Sequence, residues 1–205
     1  MKKNTLTVLA LCAGMATFAH GQALFDLSTT DDLSLSHSSA DTSASPPTAG
    51  STVLNTGTFS WGELGTDSGG NTATFSSGVF SSSDWGGEGT FTSNAIDVSA
   101  IDFVTISAQF DGEFNTDSEF SNFFYQLDGG TVTDFGIGVE DVTYTDEVTS
   151  IANLDVSAAN SLVVGFTYSQ NGGSDSFGVD SLTVVPEPSA YALLAGLSGL
   201  AFVMA

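Results

Sequence analysis

The chain has 205 residues, 24 of them Asp or Glu, and its only Lys or Arg residues are Lys2 and Lys3. Nothing from Asn4 onward can replace the counterions of a phosphate backbone, so nucleic-acid binding is excluded, and phosphoryl transfer loses its usual cations. One cysteine, Cys12, and two histidines, His20 and His37, exclude a disulfide framework and a zinc site of Cys and His ligands.

Taken in chain order, the first segment reads as a secretory signal peptide over residues 1–21. Lys2-Lys3 is its basic start, Leu6 to Phe18 is its apolar stretch, and Ala19-His20-Gly21 places small residues where a signal peptidase reads them. Cleavage after Ala23 is the alternative. A lipoprotein reading of Leu11-Cys12 fails, because Leu is too large for that cleavage pocket and the apolar run continues past it. The exported chain then has no cysteine and relies on core packing alone.

Residues 22–51 are rich in Ser, Thr and Asp, contain Pro46 and Pro47, and have few apolar side chains. They read as a loop-rich arm with one strand near 33–37. His37 lies in this arm, where a solvated loop residue is expected rather than the base of a nucleophile triad.

Residues 52–185 read as an all-β domain. Lys, Arg, Glu and Gln, the usual surface of helices, are nearly absent, while Thr, Ser, Val, Phe and Gly prevail. Period-two alternation marks Val104, Ile106, Ala108 and Phe110. It also marks Phe123, Tyr125 and Leu127, closed by Asp128-Gly129-Gly130, and Leu162, Val164, Phe166 and Tyr168, closed by Asn171-Gly172-Gly173. In the last run, Phe177, Val179 and Ser181 form one face, and Gly178, Asp180, Leu182 and Val184 the other. Weaker strands fall near 52–61, 72–80, 88–93, 131–137 and 140–148. Roughly nine or ten strands at this spacing predict a β-sandwich. An internal echo, Ile96-Asp97-Val98-Ser99-Ala100 and Leu154-Asp155-Val156-Ser157-Ala158, precedes two of the long strands.

The end of the chain, residues 186–205, begins with Pro186-Glu187-Pro188 and continues through Ser189 to Ala205 without a charge. The prolines favour an extended segment suited to an enzyme groove. Ser189 can cap a following helix, which would be about 25 Å long against a hydrocarbon core of roughly 30 Å. A C-terminal transmembrane helix is therefore expected.

Pro186-Glu187-Pro188 followed by Ser-Ala-Tyr-Ala-Leu-Leu-Ala-Gly-Leu resembles the PEP-CTERM sorting signal of exported bacterial proteins. The resemblance implies recognition by an exosortase in the inner membrane, transient membrane insertion, and an association with exopolysaccharide, biofilm or matrix. It implies no enzymatic activity. The sequence departs from the class in having no Arg-rich cluster after the apolar segment, which leaves a retained anchor as an alternative to release. From about Ala95 to Val185 the sequence also resembles extracellular jelly-roll modules, through Leu127 to Gly130 and Phe177-Gly178-Val179-Asp180-Ser181-Leu182-Thr183-Val184. That implies a jelly-roll-like sandwich related to carbohydrate-binding and adhesion modules.

Calcium is the cofactor the acidic loops suit, because hard cations take carboxylate and carbonyl oxygens. Asp111, Glu113 and Asp117 lie together between two strong strands, with Glu119 beyond them. Asp180 stands inside an apolar run where a bare carboxylate is costly. In similar jelly rolls a last-strand Asp ligates a structural calcium, and the resemblance implies that role for Asp180. Trp85 and Trp61, each flanked by small residues, are the candidates for stacking on a polysaccharide. No paired carboxylates of a sandwich glycosidase are found. The sequence thus predicts a noncatalytic exported surface or matrix protein, with a carbohydrate-binding module as the alternative and a glycoside hydrolase behind it.

Overall fold

The computed structural model describes residues 22–38, 49–62, 70–83, 86–114, 120–138, 142–170 and 175–188. The expected signal peptide and C-terminal helix lie outside the described residues. The strands in chain order are β1 (Phe25–Asp26), β2 (Leu33–Ser38), β3 (Gly50–Val53), β4 (Gly57–Trp61), β5 (Gly70–Ser76), β6 (Val79–Ser83) and β7 (Glu88–Ser93), then β8 (Ile96–Asp97), β9 (Phe103–Phe114), β10 (Phe120–Leu127), β11 (Val132–Gly138), β12 (Val142–Asp155), β13 (Ser161–Ser169) and β14 (Ser176–Pro186). They form two seven-stranded sheets in the orders β12-β9-β14-β6-β5-β2, with β1 beside β14, and β11-β10-β13-β7-β4-β3, with β8 beside β13. Every pairing is antiparallel. The all-β sandwich expected from alternation is present.

The inner faces hold a core graded along the strands. β9 runs from Val104 and Ile106 to Phe110 and Phe114, and β13 from Leu162 and Val164 to Phe166 and Tyr168, all buried. One end of the sandwich is therefore aliphatic and the other aromatic. Phe80 is the hub of the aromatic end, with ring centroids 4.8 Å from Phe75, 5.0 Å from Phe166, 5.3 Å from Tyr168 and 5.5 Å from Phe59. Across the second sheet, Phe59, Phe91, Phe166 and Phe123 pair in one buried row. A buried polar pair joins the sheets beside this core, where the Ser82 hydroxyl donates to Gln170 Oε1 at 2.7 Å. Burial pushes the Tyr168 hydroxyl far above the ordinary tyrosine range, partly offset by Ser82.

Two sequence boundaries are corrected. The strand expected near 33–37 is present as β2, but within the stretch read as a loop-rich arm β1 and β2 join the first sheet, pairing with β14 and β5, and Gly50 and Ser51 begin β3 of the second. Asp31 and Asn55 hold this segment to the second sheet by reciprocal bonds, Asp31 N–H to Asn55 Oδ1 at 3.0 Å and Asn55 N–H to Asp31 Oδ2 at 3.1 Å. Polar side chains here make specific contacts instead of a solvated arm. The runs at 52–61 and 72–80 each hold a hairpin, β3–β4 and β5–β6. The second turns on Ser77 (φ 52°) and Gly78 (φ 79°), where a Cβ on Gly78 would lie 2.2 Å from Ser28 Cα.

The third correction concerns the last strand. Phe177, Val179, Leu182 and Val184 are all buried, so the inward phase changes from odd to even positions. The register against β9 slips between Val179 and Ser181, making Asp180 the extra residue of a β-bulge. The bulge lets both apolar sets face one core.

The internal echo has a structural counterpart. Asp97 Oδ1 accepts the N–H and hydroxyl of Ser99 at 3.0 and 2.7 Å, and Asp155 Oδ1 accepts those of Ser157 at 3.0 and 2.6 Å. The turns then cross-bond reciprocally, Val98 N–H to Asn160 O at 3.1 Å and Val156 N–H to Asp102 O at 2.9 Å. One turn leads into β9 of the first sheet and the other into β13 of the second.

Candidate functional site

The outer face of the first sheet gathers three carboxylates. Asp111 points outward from β9, which lies between β14 and β12, since its neighbours Phe110 and Gly112 have the inward phase. On one flank the β14 bulge presents Asp180. On the other, the β12 register slips between Tyr144 and Glu147, and Asp146, at φ 51°, turns toward Asp111. One oxygen from each of Asp111, Asp146 and Asp180 lies within 4.8 Å of the others. Asp146 N–H donates to Asp111 Oδ1 at 2.6 Å, and Gln109 Nε2 donates to Asp146 Oδ1 at 3.0 Å. Burial, followed by the charges of Asp111 and Asp146, pushes the Asp180 carboxyl above the usual carboxylate range. Three converging carboxylate oxygens could hold a hard divalent cation, which takes oxygen ligands at about 2.3–2.6 Å.

The expected calcium residues are thus divided. Asp111 and Asp180 are brought together, while Glu113 stays exposed on β9 opposite Ser176 and outside the trio. Asp117 lies outside the described residues. Asp146 is the member that sequence reading missed. The signal for Asp180's bulge was legible in the phase change from Phe177 and Val179 to Leu182 and Val184. The matching change on β12 separates Val142 and Tyr144 from Glu147, Thr149 and Ile151.

The outer face of the second sheet is a hydroxyl ladder. Ser51, Ser60, Thr90, Thr167 and Asn122 pair in register across β3, β4, β7, β13 and β10. Neighbouring strands lie about 4.8 Å apart. Thr90 Oγ1 and Thr167 Oγ1 are 3.0 Å apart. Beside the row, Phe124 lies over Gly165, where an added Cβ would meet its Cζ at 2.5 Å. Of the two expected stacking residues, Trp61 ends β4 half-buried, with its ring 6.0 Å from Phe59 and against Gly50. Trp85 lies outside the described residues. An open groove of about 730 Å³ runs beside β1 and β8, lined among others by Leu24, Phe25, Thr29, Thr56, Asn94 and Asp97.

The Pro-Glu-Pro tripeptide is seated on the sandwich. Pro186 is the last residue of β14, paired with Val104. Glu187 N–H donates to Phe103 O at 2.9 Å, and the Thr105 hydroxyl donates to Glu187 Oε1. Pro186 and Glu187 are half-buried, and Pro188 is exposed.

No protein-family model and no curated protein matches the chain. Among solved structures it is similar to TmCBM61 in complex with beta-1,4-galactotriose, at TM-score 0.39 and 10% identity, covering 78% of this chain and 90% of that one. It is also similar to a family 29 carbohydrate-binding module, at TM-score 0.36 and 9% identity, covering 76% and 85%. A third is the CBM22-1 xylan-binding domain of Paenibacillus barcinonensis Xyn10C, at TM-score 0.32 and 11% identity, covering 83% and 98%. The fold assignment rests on the chain's own two sheets.

Proposed function

We propose that the chain is a noncatalytic exported protein of the cell surface or extracellular matrix, sorted by an exosortase-type membrane enzyme and held among exopolysaccharide. The observation that carries this reading is the order of parts at the C-terminus. The last core strand ends on Pro186, Glu187 and Pro188 follow, and an uncharged apolar run begins at Ala190 with no spacer. The basic and apolar start of the chain supplies the matching export signal. A polyanionic sandwich suits a hydrated, cation-rich exterior. The test is to fuse residues 185–205 to a secreted reporter in a host carrying an exosortase. Processing is expected, and it is expected to disappear in Pro186→Ala/Pro188→Ala. A reporter left unprocessed, also after a basic tail is added, overturns the reading.

A second reading, carbohydrate binding by the sandwich itself, is favoured by the in-register ladder of Ser51, Ser60, Thr90, Thr167 and Asn122. Hydroxyls and an amide at strand spacing suit the polar edges of sugar rings. Glycan arrays probed with the secreted chain, with and without calcium, test it. Thr90→Val/Thr167→Val is expected to weaken binding about ten-fold, the loss of one to two ordinary hydrogen bonds. Binding that is absent, or unchanged in that variant, counts against the ladder.

A further inference from the structure

We infer that the folded sandwich latches its own sorting signal, so that a processing enzyme gains Pro186-Glu187-Pro188 only when the end of β14 peels from β9. The identity of the enzyme rests on the sorting reading above; the latch rests on the fold. Because proline has no N–H, the tripeptide offers one backbone donor, the N–H of Glu187. It also offers one charge, the Glu187 carboxylate. Both are already engaged by β9: the N–H by Phe103 O at 2.9 Å and the carboxylate by the Thr105 hydroxyl. An enzyme that binds an extended peptide through backbone bonds and a central side chain must take over both partners.

The segment that can open is bounded. Val184 is fully buried, and its carbonyl accepts the Leu24 N–H at 2.8 Å. Val185, Pro186 and Glu187 are only half-buried. Peeling as far as Val185 therefore carries no fully buried side chain of β14 into water, and openings of that kind lie at the low end of local unfolding free energies. The opening also changes reach. From a latched Glu187 to Ala190, where the apolar run begins, the extended chain spans about 10 Å. That brings a strongly acidic domain to within about one Debye length of an anionic lipid surface. Releasing residues 185–187 adds about 10 Å of chain.

Two variants of the full chain test the latch with the tripeptide unchanged, in a host carrying an exosortase. Thr105→Val keeps the strand-favouring shape and removes the hydroxyl. Inserting about eight Gly and Ser residues between Val185 and Pro186 lifts the signal from the fold while leaving β14 paired from Ser176 through Val185. Processing is expected to run about five-fold faster in Thr105→Val, the factor one ordinary hydrogen bond supplies, and faster still in the insertion variant. Wild-type and insertion chains processed at one rate overturn the latch and leave the sorting reading standing. If neither is processed, the sorting reading falls, and the latch is judged on the purified full chain alone. There the Glu187 amide is expected to exchange at least about ten-fold slower than an unstructured amide, and about five-fold faster in Thr105→Val than in wild type. Exchange at the unprotected rate overturns the latch whatever the enzyme.

Discussion

At the aliphatic end of the sandwich, Asp97, Asp128 and Asp155 each accept bonds from backbone N–H groups and serine hydroxyls. On the outer sheet face beside the aromatic end, Asp111, Asp146 and Asp180 converge on one another. The Ser161 and Asn160 N–H groups hold the Asp128 carboxyl below the usual range. The Ser99 hydroxyl does the same for Asp97 and the Ser157 hydroxyl for Asp155. Burial and the two neighbouring charges hold Asp180 above it. With no Lys or Arg after Lys3, local N–H and O–H donors are the chain's main means of stabilising an acid. A carboxylate one or two residues from a turn finds them. On a sheet face the ladder has used most strand amides, and a carboxylate depends on a bulge or a neighbouring side chain, as where the Asp146 N–H reaches Asp111 and Gln109 reaches Asp146.

The sharpest division between the two ends is in the core. Phe80→Ala is expected to cost about 3–5 kcal/mol, since it empties the ring cluster around which both sheets pack. Ile106→Ala at the aliphatic end is expected to cost about 2–5 kcal/mol. Urea unfolding of both variants measures the difference. Equal losses would mean that the aromatic hub has no more packing to lose than the aliphatic end.

Next in size are the turn acids. Asp128→Ala is expected to lower the thermal midpoint more than Asp97→Ala or Asp155→Ala. Asp128 Oδ1 meets three donors, the Asn160 N–H, the Ser161 N–H and the Ser161 hydroxyl, at 2.9, 2.8 and 3.2 Å. Asp97 and Asp155 meet two each. Asp128 also sits at φ 48° in the β10–β11 turn, where Asn is the replacement that keeps an acceptor oxygen and the backbone fit while removing the charge. If Asn restores the midpoint fully, the turn needs an acceptor and the backbone conformation and not the charge.

How much of this the sequence could reveal depends on period. β9 and β13 were legible because one face of each is buried without interruption, β10 because Phe123, Tyr125 and Leu127 all pack on the core, and the Asp128-Gly129 turn because its residues tolerate positive φ. The β5–β6 hairpin was hidden because Ser77-Gly78 is a weaker turn signature than Asn-Gly or Asp-Gly. β12 was legible only to about 148, since its bulges break alternation before Asp155. The trio was half legible: Asp111 and Asp180 drew attention singly, but Asp146 joins them only through a pairing between strands distant in sequence. The strand near 33–37 was legible as β2, whereas Phe25 and Leu27 were missed because their two buried side chains are too few to set a period, and the link through Asp31 and Asn55 is polar.

Asp180→Asn is the variant that should gain stability. It removes a like charge from a partly buried site, and at neutral pH and low salt the gain is expected to be up to about 1 kcal/mol after solvent screening. The pH dependence opposes that of the turn acids. A folded pKa above the unfolded value makes Asp180 destabilising once pH rises past it. The gap between Asp180→Asn and wild type should therefore close as pH falls through the raised pKa toward 3.8. For Asp128, whose folded pKa is lowered, the stabilisation is present above 3.8 and is lost as pH falls through the folded value. Thermal midpoints of wild type, Asp180→Asn and Asp128→Asn over this range should show gaps of opposite sign. Gaps of the same sign would remove the distinction between the two groups of acids.

The smallest effect is that of cations. Raising sodium chloride at neutral pH should stabilise the wild type and narrow its gap to Asp180→Asn, because salt screens repulsion among exposed carboxylates. Calcium at matched ionic strength separates general screening from a seat at the trio. At matched ionic strength, screening by calcium leaves each of wild type, Asp97→Asn and Asp180→Asn near its own sodium value. A cation held by Asp111, Asp146 and Asp180 would stabilise wild type and Asp97→Asn equally, and leave Asp180→Asn near its sodium value. The Asp97 variant is the needed control, since it removes the same charge from the end of the sandwich where the acids already have their donors.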